Sequence, residues 1–278
     1  MNKYVRFPDF KIKAVTLSYD DGIRQDKRLI DIMKKNGLRG SFNINGGRFS
    51  DSFNGETAGV MTREEALDLY IPSGMEVALH GYRHLSLADV PMPLATDEMV
   101  ADRRAHEALF DRIIRGMAYA NGSYNGEVIS MLRSLGVTYA RTVKSTERFD
   151  LPLDWLEWHP TCHHNNPRLM DLAREFVEIS ERGYFWARKL SVFYLWGHSY
   201  ELDNNDNWQV IEEFAEFIGG REDIWYATNG EICDYMRAAE SLVYSIDGKI
   251  IENPTAIDIY LNLGDRRVIV PATGSVRV

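Results

Sequence analysis

Short runs of β-branched and aromatic residues alternate with helical stretches from residue 13 to about residue 240. Between these runs, apolar residues recur at helical spacing, as in Leu29 and Met33, so that each helix has one apolar face. This alternation predicts a parallel sheet wrapped by helices. Eight runs have the composition of buried strands: AVTLSY (14–19), GSFNIN (40–45), MEVALH (75–80), MAYAN (117–121), VTYART (137–142), LEWHPT (156–161), VFYLWGH (192–198) and DIWYATN (223–229).

Two helix starts carry local signals. Thr62 and Glu65 have the spacing of a capping box, in which the two residues satisfy each other's main-chain N–H groups. Asn166 followed by Pro167 predicts an N-cap with proline at the first helical position.

After about residue 240 the pattern changes to the short alternating runs LVYSIDGKII, AIDIYLNLG and RRVIVPA. The Asp247-Gly248 dipeptide is typical of a tight turn between antiparallel strands. We therefore predict a main domain over residues 1–240 and a small antiparallel β appendage over residues 241–278. The appendage covers one end of the main domain or, through Tyr244 and Tyr260, binds carbohydrate.

Composition narrows the possible partners and the compartment. The 278 residues are 45% apolar, which is enough for a full core. The formal net charge of -9 and the isoelectric point near 5.3 exclude nucleic acid and anionic membranes as main partners, because both repel an acidic protein. The first residues are charged and contain no apolar run, so we expect a cytoplasmic chain without signal peptide or anchor. Cys162 and Cys233 are expected to be free thiols.

Two adjacent carboxylates, Asp20 and Asp21, follow the first predicted strand and precede Gly22. Neighbouring carboxylates repel each other, and the arrangement becomes favourable when a cation or a shared proton stabilises it. A helix N-cap is the alternative role, but it accounts for one aspartate and not for both.

Histidines end two further strands. His80 closes MEVALH and His84 follows four residues later, a spacing at which two imidazoles converge on one metal; a surface pair is the alternative. His198 ends VFYLWGH and is either a packing residue or part of a site. The carboxyl ends of parallel strands in a barrel share one mouth. The same space is therefore predicted to contain Asp20, Asp21, His80, Asn121 and His198.

At these residues the sequence resembles the polysaccharide deacetylases, carbohydrate esterase family four, whose order of motifs it follows over roughly residues 13–230. The first family motif corresponds to residues 18–22, SYDDG, which implies that Asp20 is the general base and Asp21 a metal ligand. The second corresponds to residues 80–84, HGYRH, with His80 and His84 as metal ligands and glycine in place of a hydroxyl residue. The fifth corresponds to residues 195–198, LWGH, which implies that His198 is the proton donor to the leaving amine. The family fold is a distorted (β/α) barrel of seven or eight parallel strands.

The sequence departs from the family at two motifs. The third motif corresponds to residues 118–122, AYANG, where the arginine that orients the catalytic aspartate is missing. The main-chain amide near Asn121 remains available for an oxyanion hole. Arg83 and Arg141 are candidates to replace the missing cation, and we expect Arg141, because it lies near a strand end. The fourth motif is assigned to Asp154 and Trp155 at a looser spacing.

Further residues are candidates for substrate binding or for support of the site. His163 and His164 lie between a strand and a helix, where they enter the mouth or form a polar loop. Tyr82 and Trp196 either stack on a sugar ring or pack at the rim.

The sequence therefore predicts a metal-dependent hydrolase that removes N-acetyl or O-acetyl groups from a sugar, oligosaccharide or polysaccharide. One divalent ion is expected, zinc or another first-row metal such as cobalt or nickel, held by Asp21, His80 and His84. One alternative keeps the chemistry and changes the substrate to cyclic amides or imides of small metabolites. Another is a carbohydrate-binding protein without catalytic activity on the same fold.

Overall fold

The main sheet consists of eight parallel strands. The computed structural model describes residues 5–50, 59–180, 189–264 and 266–278. Neighbouring strands follow the order β6-β5-β4-β3-β2-β8-β7, and β9 also pairs with β2. The curled sheet confirms the predicted distorted (β/α) barrel. Its strands are β2 (Lys13–Asp20), β3 (Gly40–Ile44), β4 (Glu76–Leu79), β5 (Gly116–Ala118), β6 (Tyr139–Arg141), β7 (Cys162–His163), β8 (Ser191–Gly197) and β9 (Ile224–Tyr226), following β1 (Val5–Arg6).

Helices connect the strands and cover the sheet. Thr62 and Glu65 form the predicted capping box at the start of the second helix. Leu29 and Met33 are buried on the first helix, in a core cluster shared with β2 and β3. The helices are α1 (Asp26–Lys35), α2 (Arg63–Ser73), α3 (Met92–Phe110), α4 (Gly126–Ser134), α5 (Leu169–Glu178), α6 (Ser199–Asn204), α7 (Gln209–Ile218) and α8 (Asn229–Glu240).

β2 is the central strand of the barrel. All eight of its residues are buried, including the polar side chains of Thr16, Ser18 and Asp20. One edge pairs with β8 over Lys13 to Tyr19, whereas β9 and β3 pair with shorter stretches of β2. The polar end of β2 is therefore enclosed by neighbouring strands, and its carboxylates are placed in the barrel mouth.

Two sequence predictions are wrong in the segment between β6 and α5. The run 156–161 is not a strand: Trp155–Glu157 is a 3-10 helix, and β7 lies beyond it. Pro160 has no N–H for a strand ladder, which disfavours a strand across that run. The helix predicted at Pro167 begins at Leu169, because the Asn166 side chain accepts the Arg168 N–H in a local turn.

The C-terminal segment forms the predicted antiparallel appendage, in two three-stranded sheets. One joins β1 to β12 (Ile259–Leu263) and β13 (Arg266–Val270), so the N-terminal strand completes it. The other joins β10 (Val243–Tyr244), β11 (Ile250–Glu252) and β14 (Ser275–Arg277). Gly248 has φ +70 in the predicted turn. The appendage packs against α8, where the Tyr235 hydroxyl accepts the Tyr260 N–H at 3.1 Å.

Both cysteines are buried free thiols, as predicted. Within the described ranges, none of the helices combines the length and apolar character needed to cross a bilayer.

Candidate active site

The candidate site lies where β2 ends. The Asp20 carboxylate is buried and accepts a hydrogen bond from the Asn43 amide of β3 at 2.8 Å. At Asp21 the backbone takes a φ of +81, which ends the strand and turns this side chain away from the ladder. Gly22 follows at φ +67, and a Cβ there would lie 2.6 Å from Ile44. Glycine is therefore required after the carboxylate pair.

Two histidines from the loop after β4 converge on Asp21. His80 Nε2 lies 3.8 Å and His84 Nε2 lies 3.5 Å from Asp21 Oδ1. His80 Nδ1 donates to the Ala118 carbonyl at 2.9 Å, which leaves its Nε2 free to act as a ligand. Burial, and then His80, lower the pKa of His84 to about 4, so its ring is neutral at pH 7.

These three residues fit a divalent metal ion. Their donor atoms lie within 4.8 Å of one another. Zinc bonds of 2.0–2.2 Å place tetrahedral ligand atoms about 3.4 Å apart, close to the observed separations. Among the described residues, the buried Asp21 Oδ1 has no hydrogen-bond donor. An unpaired buried acceptor between two imidazoles is expected where a cation completes the site.

Buried carboxylates on α3 hold the histidine loop in place. Asp102 accepts the main-chain N–H groups of His80 and Gly81 at 3.0 and 2.8 Å. Glu98 accepts the Arg83 N–H and pairs with the Arg83 side chain at 3.0 Å. Gly81 itself has φ +83. Two buried carboxylates of α3 thus bind the main-chain amides of the loop that contains Gly81.

Arg141 at the end of β6 pairs with Asp20. Its guanidinium donates to Asp20 Oδ2 and lies 4.3 Å from the ring centroid of Trp196. Burial alone would raise the pKa of Asp20, but Arg141, followed by His80 and His198, lowers it. Arg141 thus makes the contact expected of a substitute for the missing arginine, and that role stays a prediction. Arg83 does not take this place, because it pairs with Glu98.

His198 follows β8 and lies between two carboxylates. Its Nε2 is 3.9 Å from Asp20 Oδ2, and its Nδ1 is 3.5 Å from Glu201 Oε2. Burial alone would lower the pKa of His198, but Glu201 and then Asp20 raise it. Burial alone would likewise raise the pKa of Glu201, but His163, His164 and His198 together lower it well below its usual range.

Sequence reasoning missed Glu201. It lies in the first turn of α6, and its carboxylate also accepts the His198 N–H at 3.3 Å. A glutamate three residues after a strand-end histidine is a local signal that would have found it.

The other predicted residues have varied surroundings. Asn121 is exposed at φ +56 just after β5, and its side chain donates to Ser86 Oγ at 3.0 Å. The Tyr82 carbonyl accepts the Gly47 N–H at 2.9 Å. Asp154 pairs with Arg133 at 2.8 Å.

Two residues predicted from the sequence, His163 and His164, contact Glu201. His163 Nε2 and His164 Nε2 lie 3.1 and 3.2 Å from Glu201 Oε2. Trp196 is buried beneath Arg141 and contacts the His163 ring edge-on at 4.6 Å between centroids.

The chain matches the family model described as polysaccharide deacetylase over residues 8–140, which is nearly half of its length. This region contains the SYDDG and HGYRH motifs. The resemblance to the polysaccharide deacetylases is therefore confirmed.

Solved structures share the fold at low sequence identity. A Mycobacterium smegmatis protein provisionally assigned as a polysaccharide deacetylase has 17% identity and a TM-score of 0.62, covering 85% of this chain and 94% of its own. The Puue allantoinase has 11% identity and a TM-score of 0.58, with 82% and 91% covered. A family 4 carbohydrate esterase from Streptomyces lividans, in complex with acetate, has 14% identity and a TM-score of 0.51, with 77% and 91% covered. A search of curated proteins finds no significant match.

Proposed function

We propose that this chain is a metal-dependent hydrolase that removes acetyl groups from a sugar, oligosaccharide or polysaccharide. N-acetyl groups are the first candidates and O-acetyl groups the second. The observation that carries the proposal is the convergence of Asp21, His80 and His84 within 4.8 Å beside Asp20. The match to the polysaccharide deacetylase model supports the reaction class. The acetate bound to the Streptomyces lividans esterase supports an acetyl substrate.

Asp21, His80 and His84 would hold one divalent ion, with zinc as the first candidate, because two neutral imidazoles and a carboxylate suit a first-row metal. The bound metal supplies Lewis-acid polarisation of the amide carbonyl and lowers the pKa of water.

Asp20 and His198 divide the proton transfers. Arg141 keeps Asp20 ionised at neutral pH, so Asp20 accepts the proton of the attacking water. Glu201 raises the pKa of His198, so its imidazole keeps the proton that the departing nitrogen needs. The opposite directions of these two shifts support Asp20 as the base and His198 as the acid.

A main-chain amide near Asn121 completes the proposed site as a donor to the developing oxyanion. The turn that contains Asn121 follows β5, whose last residue, Ala118, also accepts the hydrogen of His80 Nδ1. The donor and the metal ligands are therefore attached to one another through β5.

The test is a substrate screen on the full chain with zinc, cobalt or nickel added. N-acetylated and O-acetylated sugars and oligomers are assayed for acetate release, and cyclic amides, imides and ureides for ring opening. We expect acetate release that a chelator abolishes and added metal restores. Ring opening without acetate release would instead favour the small-amide alternative, which the fold of the allantoinase also accommodates. Inactivity on every substrate class with metal bound would count against the enzymatic proposal.

A further inference from the structure

Three imidazoles surround the Glu201 carboxylate, and two of them, His163 and His164, lie outside the machinery described above. Their Nε2 atoms are 3.1 and 3.2 Å from Glu201 Oε2, closer than His198 Nδ1 at 3.5 Å. His164 is fully buried, whereas the His163 side chain is 21% exposed. We refer to His163, His164 and Glu201 as the glutamate clamp.

The surroundings of the His163 ring place a hydrogen on the nitrogen that faces Glu201, and those of the His164 ring allow the same. The Asn165 main-chain N–H donates to His163 Nδ1 at 3.2 Å, so the neutral ring carries its hydrogen on Nε2. The Tyr19 hydroxyl lies 3.3 Å from His164 Nδ1. Burial raises the pKa of Tyr19 well above its usual value, so this hydroxyl stays protonated and can donate to the ring.

The strand pairing fixes where the two rings lie. His163 is opposite Trp196 in the β7–β8 ladder, and the His164 N–H donates to the Trp196 carbonyl at 2.9 Å. His164 stacks on Tyr19 with 5.7 Å between ring centroids. A Cβ at Gly197 would lie 2.1 Å from His164 Nδ1, so the glycine before His198 leaves the space that this ring occupies.

We propose that His163 and His164 are positioning residues that hold the Glu201 carboxylate against His198. The Glu201 side chain is 25% exposed and lies on a six-residue helix, so without partners it has rotamers that point to solvent. The Nε2 atoms of His163 at the end of β7 and of His164 just after it lie close to Oε2 and keep it within reach of His198 Nδ1. His198 Nε2 is thereby directed toward Asp20. This inference rests on the proposed role of His198 as proton donor.

A metal ion in the same place is the competing explanation, because His163, His198 and Glu201 also have ligand atoms within 4.8 Å. The contact from Asn165 argues against it: a metal on His163 Nε2 requires the lone pair of that nitrogen and moves the hydrogen to Nδ1, opposite the Asn165 N–H. His80 has the reverse arrangement, with Nδ1 donating to a carbonyl.

The experiment is an NMR titration of the His198 ring in zinc-loaded, ¹³C-histidine-labelled protein, with the signal identified from His198→Gln. The charged or titratable groups that face His198 are Asp20 and Asp21 at the end of β2, Tyr200 and Glu201 from α6, and His163 from β7. We expect His163→Leu to lower the His198 titration midpoint by about half a unit to one unit, because Glu201 then keeps only the contact with His164 and is held less firmly near His198. His163→Gln restores an N–H donor of similar reach and should recover most of the shift.

His159→Leu is the matched control, because His159 pairs with Thr142 and Glu157 and should leave the midpoint unchanged. An unchanged midpoint in folded His163→Leu, or in His163→Ala where the leucine variant does not fold, overturns the proposal. A second zinc equivalent in the wild type that His163→Leu loses also overturns it. The titration needs no turnover, so its result does not depend on whether the chain hydrolyses acetyl groups. A failure of the proposed function can therefore be told apart from a failure of the positioning role of His163 and His164.

Discussion

The two histidine clusters of this protein have similar composition and opposite hydrogen-bonding arrangements. In the first, His80 donates from Nδ1 to the Ala118 carbonyl and leaves Nε2 open beside Asp21. In the second, His163 accepts at Nδ1 from the Asn165 N–H, which places a hydrogen on Nε2 beside Glu201. A carbonyl partner prepares an imidazole to bind a cation, whereas an N–H partner prepares it to donate to a carboxylate. The role of each of these histidines therefore depends on the main-chain group that its Nδ1 contacts.

The largest expected effect is on metal content. His84→Ala should reduce bound zinc from about one equivalent to near zero, because it removes one of three protein ligands. His163→Ala should retain the wild-type content. Elemental analysis after dialysis measures both. Zinc retained in His84→Ala, together with zinc lost from His163→Ala, would exchange the roles of the two clusters.

The next effect is on turnover with the metal retained. Asp20→Asn should keep bound zinc and lower kcat by about 10²- to 10⁴-fold, roughly the contribution of a positioned general base. The substituted side chain keeps an oxygen that can accept the hydrogen bond from the Asn43 amide. Steady-state rates on the substrate identified by the screen provide the measurement. Wild-type turnover in this variant would remove Asp20 from the role of base.

A smaller effect is a displaced pH profile. Arg141 lowers the pKa of Asp20, so Arg141→Met should raise it and move the acidic limb of kcat/KM to higher pH by about one to two units. Arg83→Met is the control, since Arg83 pairs with Glu98 and not with Asp20. Equal acidic limbs in wild type and Arg141→Met would show that a group other than Arg141 sets the pKa of the base.

A further effect concerns stability and Asp26, a buried carboxyl that has no cationic partner among the described residues. Burial raises the pKa of Asp26 to about 7, against the hydrogen bonds from Ser199 and Tyr70 that lower it. The unfolded carboxyl releases its proton near pH 4, whereas the folded one keeps it until about pH 7. The resulting stability is present below pH 4 and is lost as the pH rises through 7, by roughly a few kcal/mol.

Asp26→Asn should remove that loss, so urea unfolding at pH 5 and pH 8 should give a smaller difference in the variant than in the wild type. Asp31→Asn, on the exposed side of the same helix, should not change the difference. An Asp26→Asn variant with the full wild-type pH dependence would contradict the raised pKa.

The sequence was a good guide where a signal is local. Asp20, Asp21, His80 and His198 lie at strand ends that periodicity alone identifies, and the capping box at Thr62 needs only residues three apart. The run at 156–161 was misread because its apolar and aromatic composition resembles a strand, whereas Pro160 prevents one.

What the sequence by itself determined was therefore the barrel and the residues that end its strands, because strand period and turn residues act over a few positions. Tertiary structure decided which residues become partners. Arg141 contacts Asp20 although β6 and β2 are separated by β5, β4 and β3 in the sheet. Glu201, which follows β8, contacts His163 of the neighbouring strand β7. Tertiary structure also decided which imidazole nitrogen is open, since the Ala118 carbonyl and the Asn165 N–H are main-chain groups. Every residue type except proline carries both groups, so side-chain identity contains no record of where they point.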